Sequence, residues 1–175
     1  MPASSLVFID ETWASTNMTP TRGRSLRGSR CLGHAPYGHR KTTTFVCALR
    51  QAGLAAPLVL DGPINGETFL AWTEQFLVPE LKSGDIVVMD NLGSHKVAGV
   101  RQAIEAQGAS VRYLPPYSPD LNPIEQVFAK LKALLRRAQQ RTVQGLWDTV
   151  GLLLEDFSAD ECCNYIRNSG YCSSG

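Results

Sequence analysis

The chain has 175 residues, 43% of them hydrophobic and 19% charged, with 17 Lys plus Arg against 16 Asp plus Glu. A single domain of this size buries about 70% of its unfolded surface and needs neither disulfide nor metal to hold it. No apolar run approaches the roughly 18 residues of a membrane span, and Met1-Pro2-Ala3-Ser4 leads into Leu6-Val7-Phe8-Ile9 without a basic leader, which argues against membrane and secreted classes.

In chain order, Ser5 to Ile9 predicts a short strand ending at Asp10, and Trp13 to Arg30, rich in Thr, Ser, Gly and Arg, predicts a loop. Thr43 to Leu49 and Ala56 to Leu60 predict two strands joined by a hairpin turn at Gln51-Ala52-Gly53. Phe69, Leu70, Thr73, Phe76 and Leu77 share one helical face, closed by Pro79. Ile86 to Met89 predicts a buried strand ending at Asp90. Val97, Val100 and Ile104 predict a helix stopped by Gly108, and Ser110 to Leu114 a strand stopped by Pro115-Pro116. Ile124, Val127, Phe128, Leu131, Leu134, Leu135 and Ala138 trace an amphipathic helix. A second starts after Thr142 with Val143, Leu146, Trp147, Val150, Leu153 and Leu154. Ser158 and Glu161 fit the capping box of a last helix. Strands alternating with helices imply a mixed α/β sheet with an antiparallel hairpin at its front.

Charge is sorted along the chain. Thr12 to Leu60 holds no acid but carries Arg22, Arg24, Arg27, Arg30, Arg40, Lys41 and Arg50. A second acid-free block holds Lys130, Lys132, Arg136, Arg137 and Arg141, whereas Thr142 to Gly175 sets five acids against Arg167 alone. Sorted cations suit a polyanion such as a nucleic-acid backbone, although a solvated basic loop has the same composition. Five cysteines (Cys31, Cys47, Cys162, Cys163, Cys172), with no C-x-x-C, fit a reducing compartment, the cytosol. The last three lack zinc-ligand spacing and read as buried free thiols.

Asp10 and Asp90 each follow a short apolar strand, where an α/β sheet presents side chains at its edge crevice. Glu125 opens a helix after a turn-rich segment and is a third candidate. Three converging carboxylates repel unless cations separate them, and all-oxygen ligation suits Mg²⁺ or Mn²⁺. Two such ions ~3.5–4 Å apart suit an in-line phosphoryl displacement. Plainer roles fit the same positions: the aspartates could terminate strands, and Asn122 at N-cap, Pro123 at N1 and Glu125 at N3 make a capping box. Ala129, Lys132 and Arg136 share the face of Glu125, small and then cationic, as a phosphate backbone beside a metal ligand requires. His95 could touch phosphate or assist proton transfer, or be a surface histidine at a helix start. Asp61, Asp85 and Asp120 read as turn chemistry. Gly23 to Gly28 lacks the Lys-Ser/Thr of a phosphate-binding loop, which excludes an NTPase of that type.

Three stretches carry a resemblance: Phe8-Ile9-Asp10-Glu11-Thr12-Trp13; Val87-Val88-Met89-Asp90-Asn91 with Ser94-His95-Lys96; and Leu114-Pro115-Pro116-Tyr117-Ser118-Pro119-Asp120-Leu121-Asn122-Pro123-Ile124-Glu125. With 34 residues between Asp90 and Glu125, they resemble the DDE transposases of the mariner superfamily, in its bacterial insertion-sequence branch. The resemblance runs from about Leu6 to Arg141 and extends toward Tyr171. It implies a ribonuclease-H-like fold, a mixed five-stranded sheet with flanking helices, and Asp10, Asp90 and Glu125 as a triad holding two Mg²⁺ or Mn²⁺ ions. Asn91 and His95 would be motif companions.

The implied activity is DNA cleavage at transposon ends followed by strand transfer into target DNA. Arg22, Arg24, Arg27, Arg30, Arg40, Lys41, Lys132 and Arg136 would meet the DNA backbone, two copies would act together, and the setting would be a bacterial cytoplasm, at the nucleoid when DNA is bound. Family members carry an N-terminal helix-turn-helix region, whereas nine residues precede Asp10. The expected organisation is therefore one catalytic domain over 1–175, with a core of about 5–141, C-terminal helices over 142–171, and end recognition absent or supplied by a separately encoded half. Two other readings share these features: a catalytically silent DNA-binding or assembly remnant of a truncated element, and a ribonuclease-H-like nuclease acting on hybrids or junctions.

Overall fold

The computed structural model describes residues 2–37 and 40–171; Cys172 lies outside them. Five strands, β1 (Leu6–Ser15), β2 (Thr42–Arg50), β3 (Gly53–Asp61), β4 (Ile86–Met89) and β5 (Ser110–Tyr113), form one mixed sheet in the order β3-β2-β1-β4-β5. The first three make an antiparallel meander, while β4 and β5 run parallel to β1. The helices are α1 (Gly66–Trp72), α2 (Ala98–Ala106), α3 (Ile124–Ala138), α4 (Val143–Leu153) and α5 (Ala159–Asn168).

Alternation along the strands divides the core into two layers. Phe8, Phe45, Cys47, Leu49 and Val88 pack with Ile124, Val127, Phe128, Leu131 and Leu135 of α3 and with residues of α4 and α5. Val7, Ile9, Val46, Ala48, Val87, Met89 and Val111 face Phe69 and Trp72 of α1 and Val100 and Ile104 of α2. Both faces of the sheet are thus covered by apolar stripes, as a sheet with parallel central strands requires.

Thr142 and Ser158 cap their helices as the sequence implies, accepting from the N–H groups of Gly145 and Glu161. Gly108, at φ +75°, supplies the left-handed residue that ends α2.

Four expectations need correction. β1 does not stop at Ile9: it runs to Ser15, so Asp10 lies within the strand and Trp13 to Ser15 belong to it rather than to the loop. Pairing from Asp10 opposite Cys47 to Ser15 opposite Thr42 is made by backbone groups, which polar side chains do not prevent. β3 starts at Gly53, three residues before the expected Ala56, and Ala56 (φ +50°) accompanies a register shift against β2. The helix around Phe69 changes type, passing from α1 into a π-helical turn (Thr73–Leu77) and a 3₁₀ turn (Val78–Glu80). That change turns Phe76 to the surface, while Trp72 fills the core and donates Nε1–H to the Ala56 carbonyl at 2.9 Å. Finally, α3 has no side-chain cap, and the Asn122 amide points elsewhere.

Candidate active site

Ile9 pairs with Met89 across the parallel β1/β4 ladder, so Asp10 and Asp90 are the next residues along two neighbouring strands. They follow Phe8 and Val88 by two, which directs them toward the α3 face of the sheet. α3 begins there with Ile124 buried against that layer and Glu125 exposed beside it. The three acids consequently line one open cleft of about 380 Å³, together with Asn91, Asn122 and the Pro115–Pro119 segment. Within that segment the exposed Tyr117 takes a positive φ of +57°, a costly conformation for an aromatic residue that is found most often at functional loops.

Asp10 is 6% exposed. Its Oδ1 accepts the Glu11 N–H at 2.8 Å and its Oδ2 accepts the Asn122 Nδ2–H at 2.8 Å. Burial raises its carboxyl, the Glu11 N–H opposes, and the charges of Asp90, Glu11 and Glu125 raise it further, to about 7. Burial also acts upward on Asp90, but His95 and the Leu92 N–H outweigh it and leave that carboxyl below its ordinary range. The two carboxylates are one residue beyond paired positions, yet their proton affinities are driven apart by what touches them.

His95 is fully buried, not the surface residue that its place near a helix start suggested. It sits in a 3₁₀ turn (Gly93–Lys96) with its ring 4.3 Å from that of Phe69. Nε2 lies 2.7 Å from Glu11 Oε2; Nδ1 lies 2.5 Å from Asp90 Oδ1, close in distance but poorly directed for a hydrogen bond. Burial disfavours the imidazolium, yet contact with Asp90 and Glu11 prevails and raises its pKa to about 9. Glu11 is the residue that reading the chain missed. Its only local signal is its place after Asp10, on the opposite side of the strand.

The donor set fits a hard divalent cation. Asp10, Asp90 and His95 each offer a ligand atom within 4.8 Å of the others; Glu125, exposed, lines the same cleft but lies outside that close group; and burial together with the neighbouring carboxylates raises Asp10. A cation relieves the repulsion among those carboxylates.

The basic residues lie in two segments that are tied together at one point. Arg22, Arg24, Arg27, Arg30, Arg40 and Lys41 are exposed in the β1–β2 connection. The root of that connection is pinned by Arg141, which donates to the carbonyls of Thr16 and Met18. Arg141 closely follows α3, which carries Lys132 and Arg136, so the second cationic block ends at the root of the first. Lys132 Nζ stands 4.8 Å over the exposed Trp13 ring. Of the aspartates read as turns, Asp85 is buried and paired with Arg50 at 2.7 Å, whereas Asp61 and Asp120 are exposed. Cys47 and Cys162 are buried free thiols, Cys163 is half-exposed and Cys31 exposed.

A sheet ordered β3-β2-β1-β4-β5, helices on both faces and acids at adjoining positions in β1 and just past β4 define a ribonuclease-H-like fold. Residues 5–146 match the model of the DDE superfamily endonuclease family, and the chain belongs to that family. Solved structures agree in fold. The Mos1 strand transfer complex superposes with a TM-score of 0.78 at 21% identity, over 95% of this chain and 52% of that one. The Mos1 transposase paired-end complex with left transposon end gives 0.76 at 21% identity over the same shares, and the catalytic domain of Mos1 mariner transposase 0.67 at 18%, over 95% and 77%. The chain thus spans about half the length of the transposases in those complexes. Comparison with curated proteins finds no match.

Proposed function

We propose that this chain is the catalytic domain of a DNA transposase of the bacterial insertion-sequence branch. The observation that carries the reading is the convergence of Asp10, Asp90 and Glu125, distant in sequence, on one cleft. Asp10, Asp90 and Glu125 hold two Mg²⁺ or Mn²⁺ ions. Mos1 complexes with Mg and with Mn, similar to this chain in fold, support that choice. When bound, such ions stabilise the attacking and leaving oxygens of an in-line phosphoryl displacement.

The chain's own residues supply the rest. His95, held by Glu11, keeps the Asp90 carboxylate charged and aimed; Asn91, exposed at the rim, orients phosphate. Arg22, Arg24, Arg27, Arg30, Arg40 and Lys41, with Lys132 and Arg136, track the DNA backbone and fix its register without reading bases. One carboxylate set serves both hydrolysis at a transposon end and attack of the freed 3′-hydroxyl on target DNA, because both are displacements at a phosphodiester. Transposon-end recognition is assigned to a DNA-binding half outside residues 1–175, two copies work together, and the work is done in the cytoplasm at the nucleoid. Among the described residues no helix is long and apolar enough to cross a membrane.

The test supplies the DNA-binding half fused upstream and compares transposon-end, hybrid and junction substrates. Mg²⁺-dependent nicking of transposon-end DNA, abolished by Asp90→Asn with the melting curve retained, is the expected result. Undiminished nicking by Asp90→Asn removes Asp90 from the mechanism; preference for hybrid or junction substrates makes the chain a nuclease of another kind; no cleavage of any substrate by the fused protein leaves the silent module.

A further inference from the structure

Asn122 departs from the helix-capping role that its sequence position suggests, and the departure is informative. Its amide reaches across to β1 and donates to Asp10 Oδ2 at 2.8 Å. The residue is 4% exposed, and its Oδ1 finds no hydrogen-bond partner among the described residues. An unmet buried carbonyl costs about 1–3 kcal/mol, so such a group persists where a donor arrives with a ligand. Turning the amide over gives no relief, because it sets oxygen against the Asp10 carboxylate and leaves Nδ2 without its acceptor.

The position of Asn122 joins the acids. Its backbone carbonyl accepts the Glu125 N–H at 3.1 Å at the start of α3, and Asn122 and Glu125 both line the main cleft and a second one of about 360 Å³. The preceding residue is held as well. Tyr171 Oη donates to the Leu121 carbonyl at 2.7 Å, and the Tyr171 ring packs edge-on against Phe8, two residues before Asp10. Ionised carboxylates can only accept hydrogen bonds, so once a cation holds Asp10 ionised none of the three acids can supply the missing donor. The hydration shell of a hard divalent cation is the donor that such a carboxylate site attracts.

We propose that Asn122 is a positioning residue for the metal centre: Nδ2 fixes the Asp10 carboxylate, and Oδ1 accepts a hydrogen bond from water carried in by the cation. This rests on the metal-centre reading above, and the test separates the two. Mn²⁺ is titrated into the full chain and into Asn122→Ala and Asp90→Asn, with the free ion followed by electron paramagnetic resonance and melting recorded in EDTA. Removing a partner that orients a metal ligand lowers affinity by roughly 10- to 100-fold. Asn122→Ala is expected to lose at least tenfold in Mn²⁺ affinity with its metal-free melting point preserved. Affinity within twofold of the parent, while Asp90→Asn loses binding, overturns the role of Asn122 and leaves the metal centre standing; unchanged affinity in both variants overturns the metal centre and this inference together. If Asn122→Ala does not melt cooperatively, Mg²⁺ titration of the ¹⁵N-labelled parent reads the same contact. An Asn122 side-chain amide signal that shifts and saturates with the metal supports the role, and an unmoved signal refutes it.

Discussion

Replacing Asp10 by Asn should stabilise the metal-free protein above neutral pH, although the position is buried and hydrogen-bonded. In the folded chain the Asp10 carboxyl is raised from 3.8 to about 7. At 1.36 kcal/mol per pK unit this corresponds to about 4 kcal/mol of folding stability lost once the group is ionised in both states. The sign follows from the direction of the shift. Because the folded value is the higher one, the contribution is fully present below pH 3.8, declines as pH rises toward about 7, and is gone above it. Asparagine does not titrate but has one acceptor oxygen for the two donors, Glu11 N–H and Asn122 Nδ2–H. Losing one bond at about 1–3 kcal/mol should leave it less stable than the parent at low pH, and the relief of about 4 kcal/mol should make it the more stable chain above neutrality. Urea unfolding in EDTA across this range measures the difference directly. Mg²⁺ should then reverse the order, stabilising the parent chain and leaving Asp10→Asn unmoved. A variant equal to or less stable than the parent at about pH 8 in EDTA refutes the argument that repulsion and desolvation at Asp10 are what a cation relieves.

Joint replacement of Arg24, Arg27 and Arg30 by Ala should flatten the dependence of log DNA affinity on log salt by about 2 to 3, close to 0.9 for each phosphate contact removed; an unchanged slope takes the β1–β2 connection out of the DNA interface. Leu131→Ala deletes a side chain that is 1% exposed where α3 packs on the sheet, and should cost about 2–5 kcal/mol by urea unfolding. A loss below 1 kcal/mol would show that α3 is not seated as described.

The sequence alone determined much of the molecule because much of it is local. Apolar periodicity located all five strands and the longer helices, and Gly108, Thr142 and Ser158 marked helix ends through chemistry that acts within a turn. The positions of Asp10 and Asp90 after apolar runs, and the Pro115 to Glu125 motif, singled out three acids that the structure places along one cleft. What local pattern misread was governed by distant partners. β1 continues through polar residues because β2 lies beside it. Asn122 fits the pattern of a cap, but an aspartate 112 positions away takes its amide.

Only the tertiary structure decided the make-up of the site. The pairing of Ile9 with Met89 sets the two aspartates side by side, and the burial of His95 between Glu11 and Asp90 arises from the packing of α1 against the sheet. Charge and hydrogen-bond partners separated by 80 or more residues leave no period in a sequence. Their identity is fixed by register and packing, and so are the proton affinities that distinguish one carboxylate from the next.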